Sequence, residues 1–255
     1  MLTFRAIGDW SEAEVSARWA TDTRRRIPEV ESQIERAWTS ASARLGSGLF
    51  DGPMCRLEQL DATTCSLRLW VSPTSYKPFL GTNLMNPDVP PAAMANPVGL
   101  SAALVTSDGW LMLGRRNASV AYYPNRVHPF AGSLEPREAP NVFDGIRREL
   151  AEELRFTPGD VSELRCLGLI EDARLRQPEI VFSVRSMRTR AHVEAMLDTG
   201  EHHASVAVEG TPCGVEAFMR DSLLTPVAVG TLALWGRIAF GDAWFVARRG
   251  EFETS

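Results

Sequence analysis

Three glutamates in one short segment have the residue type and spacing needed to hold a divalent cation. Glu149, Glu152 and Glu153 follow an i, i+3, i+4 pattern, so on a helix they share one face. Like charges at this spacing repel, and a bound cation would reverse the sign of that interaction. Carboxylate oxygens suit hard ions such as Mg²⁺ or Mn²⁺. The cluster therefore indicates metal-assisted chemistry on phosphate, and a solvated amphipathic helix is the common alternative for such a string.

A helix over residues 141–155 is predicted to position these glutamates. Asn141 can cap its first turn, and the segment 157–159, Thr-Pro-Gly, ends it. One apolar stripe runs along the helix and consists of Val142, Ile146, Leu150 and Leu154. Because the glutamates lie on the adjacent face, the stripe can be buried while the carboxylates line the edge of a cleft.

Strand patterns on both sides of this helix predict a sheet. Apolar runs at residues 98–106 and 110–113 are separated by a Ser-Asp-Gly turn, and the second run continues into Arg115 and Arg116. A short strand is predicted at residues 128–131. Further strands are predicted at residues 166–170, 180–184 and 205–208.

The first part of the chain has a different pattern. Ser11 and Glu14 have capping-box spacing, which predicts a helix start, and helices are predicted at residues 19–26 and 29–44. A hairpin is predicted at residues 54–71. Residues 84–97 contain four prolines and form either a linker or a long ordered loop. This segment predicts a division into an N-terminal α+β extension, 1–97, and a second domain, 98–255.

Composition limits the kinds of partner. The net charge of -5 favours neither nucleic acid nor an anionic membrane surface as a partner. The apolar tract 225–247 is interrupted by Pro226, Arg237 and Asp242, which predicts a buried helix and no membrane span. The N-terminus has no signal-peptide pattern. No CxxC pair occurs among the four cysteines, so a reducing cytoplasm is expected.

An ordered motif around the glutamates resembles the signature of the Nudix hydrolases. That signature reads glycine, five residues, glutamate, seven residues, then Arg-Glu-apolar-x-Glu-Glu-x-Gly-apolar. The matching positions here are Gly132, Glu138, Arg148, Glu149, Leu150, Glu152, Glu153 and Phe156. Two departures occur, because nine residues separate Glu138 from Arg148 and Arg155 stands in place of the closing glycine. Neither departure removes a candidate ligand.

Three strings outside the box resemble one Nudix subfamily, which includes the mammalian UDP-glucose diphosphatase and carries an N-terminal extension. They lie at residues 49–53, 74–83 and 96–99. The resemblance implies an α+β fold: a Nudix-type α/β/α sandwich with a mixed sheet, preceded by the small extension. It also implies hydrolysis of the pyrophosphate of a nucleoside diphosphate-linked substrate, here a UDP-sugar. ADP-ribose hydrolysis and a catalytically silent nucleotide-binding module are the alternatives.

The resemblance also implies roles for residues of the box. Glu149 and Glu153 are expected to bind Mg²⁺ or Mn²⁺, with Glu152 as a further ligand or a water-mediated contact. The backbone carbonyl of Ala131 is an additional ligand position in the family, and Gly132 lets that backbone approach closely. Arg148 is expected to hold a carboxylate such as Glu138 or Glu152 in place.

The general base varies across the family, so several candidates remain. They are Glu171, Glu179, Glu201, His202 and His203. Taken singly, each is more often a solvated surface residue. Glu179 begins a predicted strand, and the matching subfamily position also holds glutamate, so it ranks first for a metal or substrate role.

Substrate contacts are expected from both parts of the chain. Arg115 and Arg116 end a strand and could bind phosphate, or could be a surface pair. Four residues of the extension could stack on a base or bind a ribose, or the aromatic ones could pack the joint between the two parts. They are Tyr76, Lys77, Phe79 and Asn83.

Overall fold

Eleven strands form two β-sheets in the computed structural model, which describes residues 2–220 and 223–254. The strands are β1 (Leu2–Trp10), β2 (Val15–Trp19), β3 (Pro53–Thr63), β4 (Ser66–Ser75), β5 (Gly99–Val105), β6 (Trp110–Arg116), β7 (Val127–His128), β8 (Phe130–Ser133), β9 (Val161–Asp172), β10 (Gln177–Ser186) and β11 (His202–Glu209). The large sheet has the order β1-β9-β10-β5-β6-β11, with β7 paired to β6 and β8 paired to β5. The small sheet has the order β2-β4-β3.

Helices cover both faces of the large sheet. They are α1 (Pro28–Leu45), α2 (Tyr76–Phe79), α3 (Val142–Leu154), α4 (Arg190–Met196), α5 (Pro212–Met219), α6 (Pro226–Phe240) and α7 (Asp242–Thr254). Alternate residues of β5 point to opposite sides, as the pleat requires. Leu100 and Leu104 join the core cluster that contains α3, whereas Ala103 and Val105 join the one that contains α6.

The large sheet is mixed. β5 and β10 run parallel, while the other pairs along the sheet are antiparallel. The predicted α+β class, with an α/β/α sandwich around a mixed sheet, is therefore confirmed.

The N-terminal segment contributes to both sheets. β1 pairs antiparallel with β9 in the large sheet, so residues 2–10 pack with the part of the chain beyond residue 98. The capping box of Ser11 and Glu14 is present, but it closes only a 3₁₀ turn, Glu12–Glu14. The helix predicted at residues 19–26 is wrong: Trp19 ends β2, which runs parallel to β4, and residues 20–26 form neither helix nor strand. The boundary at residue 97 stays a prediction.

The proline-rich segment 84–97 is a packed loop. Ala93, Met94 and Ala95 are fully buried, and the guanidinium of Arg56 donates to the carbonyl of Met94 at 2.9 Å. Of the two alternatives for this segment, the long ordered loop is the one observed.

The apolar tract near the C-terminus forms two helices and not one. α6 ends at Gly241, whose φ of 94° the glycine adopts without steric cost, and α7 begins at Asp242. Ten consecutive residues of α6, 227–236, are buried. In the described ranges, no helix combines the length and the apolar character needed to cross a membrane.

Both ends of α3 are well formed. The side chain of Asn141 accepts hydrogen bonds from the backbone N–H groups of Phe143 (2.9 Å) and Asp144 (3.3 Å), as predicted for the cap. At the other end Arg155 adopts the left-handed conformation, with φ 54° and ψ 29°. The helix therefore ends in a left-handed residue, the conformation that glycine most readily adopts, although the residue is arginine.

Replacing this arginine by glycine is expected to stabilise the fold. A residue with a Cβ in the left-handed region costs roughly 1 kcal/mol, which the greater freedom of glycine in the unfolded chain partly offsets. Arg155→Gly should raise the free energy of unfolding by about 0.5 kcal/mol in urea titrations, with Arg155→Lys as the neutral control. Destabilisation by Arg155→Gly would show that the arginine side chain holds the helix end.

Candidate active site

Two of the three glutamates of α3 are buried beneath β8. Glu149 and Glu153 are each 8% exposed, whereas the side chain of Glu152 is 62% exposed. α3 therefore presents two carboxylates toward the sheet and one at the rim.

Gly132 in β8 is what allows Glu149 to lie so close to the sheet. A Cβ atom at position 132 would overlap the carboxyl group of Glu149, so any other residue would displace it. The opposite side of this carboxylate is held by Arg148, whose Nη2 donates to Oε1 at 2.6 Å.

Glu153 is held by the same strand. Its Oε2 accepts a hydrogen bond from the backbone N–H of Ala131 at 3.0 Å. Its Oε1 lies 3.2 Å from Nδ1 of His202, a ring that is 1% exposed. The strand that precedes the box thus positions both buried glutamates of the helix.

A third buried carboxylate comes from the centre of the sheet. Glu179 lies opposite Gly99 in the parallel pairing of β10 and β5. Its carboxyl group occupies the space where a Cβ of residue 99 would be. Gly99 is thus the second glycine of this site, after Gly132, that lies beside a carboxyl group.

Burial sets the electrostatics of these groups. It raises the pKa of Glu149 to about 7, raises that of Glu179 to about 8, and raises that of Glu153 well above its usual range. Burial also lowers the pKa of His202 to about 4. Several carboxylates buried together are unfavourable unless a positive charge compensates them.

The donor set fits a hard divalent cation. Oε1 of Glu153 and Oε1 of Glu179 are buried without a hydrogen-bond partner among the described residues, so each is an unsatisfied acceptor. Within residues 2–220 and 223–254, however, no three His, Cys, Asp or Glu side chains converge on one point. Glu149 is turned toward Arg148, so chelation requires it to release that contact.

Arg148 contacts one of its two predicted partners, Glu152, and two further glutamates. Its guanidinium lies 3.1 Å from Glu135, 2.6 Å from Glu149 and 3.6 Å from Glu152. Glu138 is exposed, and its backbone carbonyl accepts from the indole N–H of Trp19 at 3.1 Å. Of the two glutamates in the loop before α3, Glu135 is therefore the one that contacts Arg148.

A cleft of about 470 Å³ opens over the carboxylates. Its lining includes Glu135, Glu149, Glu152, Glu179, Glu201, Arg116, Gln177, His128, Tyr76, Phe79, Tyr122, Ala131 and Gly132. A larger cavity of about 1270 Å³ adjoins it and shares the walls Phe50, Tyr76 and Tyr122. Together the two cavities combine an acidic floor with an aromatic side wall.

The two arginines at the end of β6 diverge. Arg116 is 5% exposed, lines the cleft, and stacks on Tyr122 with 4.7 Å from its guanidinium carbon to the ring centroid. Arg115 lies outside the cleft lining and donates to the carbonyl of Asn125 at 3.3 Å. Of these two arginines, Arg116 is thus the one that lies in the cleft with the carboxyl groups.

The four candidate residues of the extension also separate. Tyr76 and Phe79 line the cleft. Lys77 forms an ion pair with Glu35 at 2.6 Å, away from it. Asn83 is buried and donates to the carbonyl of Leu175 at 2.8 Å, joining the extension to the second part of the chain. Of the four, the two aromatic residues therefore line the cleft, and Lys77 and Asn83 make contacts outside it.

The candidate bases lie in different surroundings. Glu171 pairs with Arg5 at 2.7 Å, outside the cleft lining, and Nδ1 of His203 lies 3.1 Å from the carbonyl oxygen of Arg116. Glu201 is exposed at the cleft rim. Glu179 and His202 are the buried members of the set.

The cleft residues that the sequence did not single out include Glu135, Tyr122 and His128. Glu135 lies three positions after Gly132, a spacing that differs from the family motif. Tyr122 lies between two predicted strands and His128 begins one, and neither belongs to a recognisable motif. The pairing of β6 with β7 is what places His128 at the cleft, and nothing in the local sequence specifies that pairing.

Comparisons with known proteins agree with the motif. No protein-family model matches the chain. The mouse protein named uridine diphosphate glucose pyrophosphatase NUDT22 is 29% identical over 203 residues, which cover 66% of this chain and 66% of that relative. The human protein of the same name is 25% identical over 256 residues, covering 84% of each. The resemblance to Nudix hydrolases is confirmed.

The match to the mouse relative spans just under two thirds of that protein's length. Among solved structures, a Nudix hydrolase from Nitrosomonas europaea is 17% identical, with a TM-score of 0.37, over 56% of this chain and 89% of that one.

The buried carboxyl groups of the site should make the free energy of unfolding depend on pH. Glu179 ordinarily titrates at 4.5 and here has a pKa of about 8, so between these values the folded state holds a proton that the unfolded state has lost. The free energy of unfolding should therefore fall as pH rises through this window. Glu179→Gln, which cannot ionise, should be more stable than the unaltered chain by at least about 2 kcal/mol at pH 9 and roughly equal to it at pH 5.

Urea unfolding in EDTA at the two pH values measures this difference. Glu163→Gln, at an exposed pair with Arg185, serves as the control and should change stability by less than about 1 kcal/mol at both. An equal effect of Glu179→Gln at pH 5 and pH 9 would contradict the assignment of a buried, proton-holding carboxyl.

Proposed function

We propose that this chain is a Mg²⁺- or Mn²⁺-dependent hydrolase that cleaves the pyrophosphate of a nucleoside diphosphate-linked substrate. A UDP-sugar is the proposed substrate, with UDP-glucose or UDP-galactose giving UMP and a sugar 1-phosphate. The observation that carries the proposal is the set of buried carboxyl groups, Glu149, Glu153 and Glu179, of which Glu153 and Glu179 each have one oxygen without a hydrogen-bond partner among the described residues. The names of the mouse and human relatives support the choice of a UDP-sugar.

The residues proposed to hold the cation are Glu149, Glu153 and the carbonyl of Ala131, with Glu152 at the rim. When bound, the cation supplies charge neutralisation for the diphosphate and lowers the pKa of a coordinated water. Because a diphosphate is itself strongly anionic, the acidic floor would repel it without that compensation.

The chain's own residues account for the remaining requirements. Arg116 is the cleft arginine and can pair with a phosphate oxygen. Tyr76, Phe79 and Tyr122 form the aromatic wall on which a base can stack. Oε1 of Glu179, which lacks a partner and has a pKa close to working pH, is the proposed acceptor of the proton of the attacking water.

Two alternative functions can be distinguished from this one. A hydrolase of the same type acting on ADP-ribose would need the same buried carboxyl groups but different residues around the base and sugar. A silent nucleotide-binding module would have no need of several buried, mutually repelling carboxyl groups, so the site disfavours it.

The expected compartment also stays a proposal. The four cysteines are free, two buried and two exposed. Free cysteines agree with a reducing cytoplasm.

A panel of nucleotide sugars, ADP-ribose and dinucleotides incubated with Mg²⁺ tests the substrate. Release of UMP from UDP-glucose or UDP-galactose, abolished by EDTA, is the expected result. Hydrolysis of ADP-ribose without any UDP-sugar would overturn the substrate assignment, and no hydrolysis at all would favour the silent module.

Glu153→Gln tests the metal assignment while preserving shape. Removal of this charge should lower kcat/KM roughly 10²- to 10³-fold, the size of losing one group that stabilises transition-state charge. Glu163→Gln is the surface control and should leave kcat/KM unchanged. Full activity in Glu153→Gln would eliminate this glutamate as a ligand.

Glu135→Gln and Glu138→Gln test how the lengthened box positions Arg148. Of these two glutamates, Glu135 is the one that contacts Arg148, and Arg148 in turn contacts Glu149. Glu135→Gln should lower kcat/KM about tenfold, as for loss of a group that orients a metal ligand, whereas Glu138→Gln should stay near the unaltered value. The reverse order of effects would restore Glu138 to its family role.

A further inference from the structure

A buried histidine that the proposed reaction does not use lines the cleft. His128, in β7, is 4% exposed, and its Nδ1 lies 2.8 Å from the hydroxyl oxygen of Thr225. Its other ring nitrogen, Nε2, makes no hydrogen bond within the described part of the chain, and it is not among the sealed polar atoms. Nε2 is therefore the nitrogen that a bound substrate can reach.

The main chain sets the contact between these two residues. The N–H of Val127 donates to the carbonyl of Leu223 at 2.8 Å, and the N–H of Thr225 donates to the carbonyl of Val127 at 3.0 Å. These bonds hold the segment before α6 against β7. Thr225 is also the N-cap of α6, so its side chain has a defined position.

The capping bond decides the direction of the histidine bond. The hydroxyl of Thr225 already accepts from the N–H of Ala228 at 3.1 Å. It is fully buried, and its own hydrogen has no other acceptor among the described residues. If Nδ1 carried a proton, the hydroxyl hydrogen would be buried without a partner, which is costly. All groups are satisfied when the hydroxyl donates to Nδ1.

A neutral imidazole that accepts at Nδ1 carries its proton on Nε2. Burial, together with nearby Arg116, lowers the pKa of His128 well below its usual range, so the ring stays neutral. The nitrogen that faces the cleft is then an N–H group.

We propose that His128 is a neutral hydrogen-bond donor to a phosphate oxygen of the substrate, oriented by Thr225. This inference rests on the proposed function. A neutral N–H can hold a diphosphate oxygen beside Arg116 without adding a further charge to the site. An unprotonated nitrogen at the same place would repel that oxygen.

The tautomer can be read directly. In ¹⁵N-histidine-labelled protein at pH 7.5, the ring signals of His128, assigned by their loss in His128→Asn, should show an unprotonated Nδ1 and a protonated Nε2. The chain has four histidines, so the assignment is tractable. A protonated Nδ1, in either the neutral or the charged ring, would overturn the proposal.

Kinetics with two variants test the contact. Asparagine can keep the bond to Thr225 but is too short to reach the cleft, so His128→Asn should lower kcat/KM for UDP-glucose roughly 10- to 100-fold. Glutamine places an amide N–H near the position of Nε2, so His128→Gln should recover most of that loss. His192→Asn, on α4, is the control and should have unaltered activity.

Thermal unfolding of each variant separates misfolding from loss of the donor. Equal losses in folded His128→Asn and His128→Gln would overturn the donor role of His128 while leaving the proposed function intact. Absence of hydrolysis by the unaltered chain on the whole substrate panel would overturn the proposed function and, with it, the substrate contact.

Discussion

Close approach of carboxyl groups to glycine backbone is the constraint on which this site depends. Glu149 lies against Gly132 and Glu179 lies against Gly99, in each case where a Cβ would otherwise be. The two glycines belong to paired strands, β8 and β5, so both carboxyl groups approach the same pair of strands. The position of α3 on β8 and the parallel pairing of β5 with β10 bring the two groups to this strand pair.

Burying these groups makes the site sensitive to charge. Arg148 holds Glu149, and a backbone N–H holds Glu153, but one oxygen of Glu153 and one of Glu179 have no partner. Desolvation of this kind is unfavourable by itself, and the proposed cation would offset its cost. The site thus contains buried carboxyl oxygens whose hydrogen-bonding capacity is not satisfied by the described residues.

The helix that carries the glutamates and most strands could be predicted, because periodicity and caps are local signals. Asn141 caps α3 as predicted. The capping box at Ser11 closes only a 3₁₀ turn, because the residues after that turn pair with β4 as a strand. The partner of Arg148 and the place of His128 depend on loop length and strand pairing, which no local pattern specifies. Arg115 and Arg116 could not be separated until the strand's orientation was known.

The hydrogen bond from the indole N–H of Trp19 to the backbone carbonyl of Glu138 joins two layers of the molecule. Trp19 ends β2 of the small sheet, and Glu138 lies in the loop between β8 and α3. The small sheet is thus connected to the loop that leads into the helix with the buried glutamates, so a substitution at Trp19 would act on the entry to that helix.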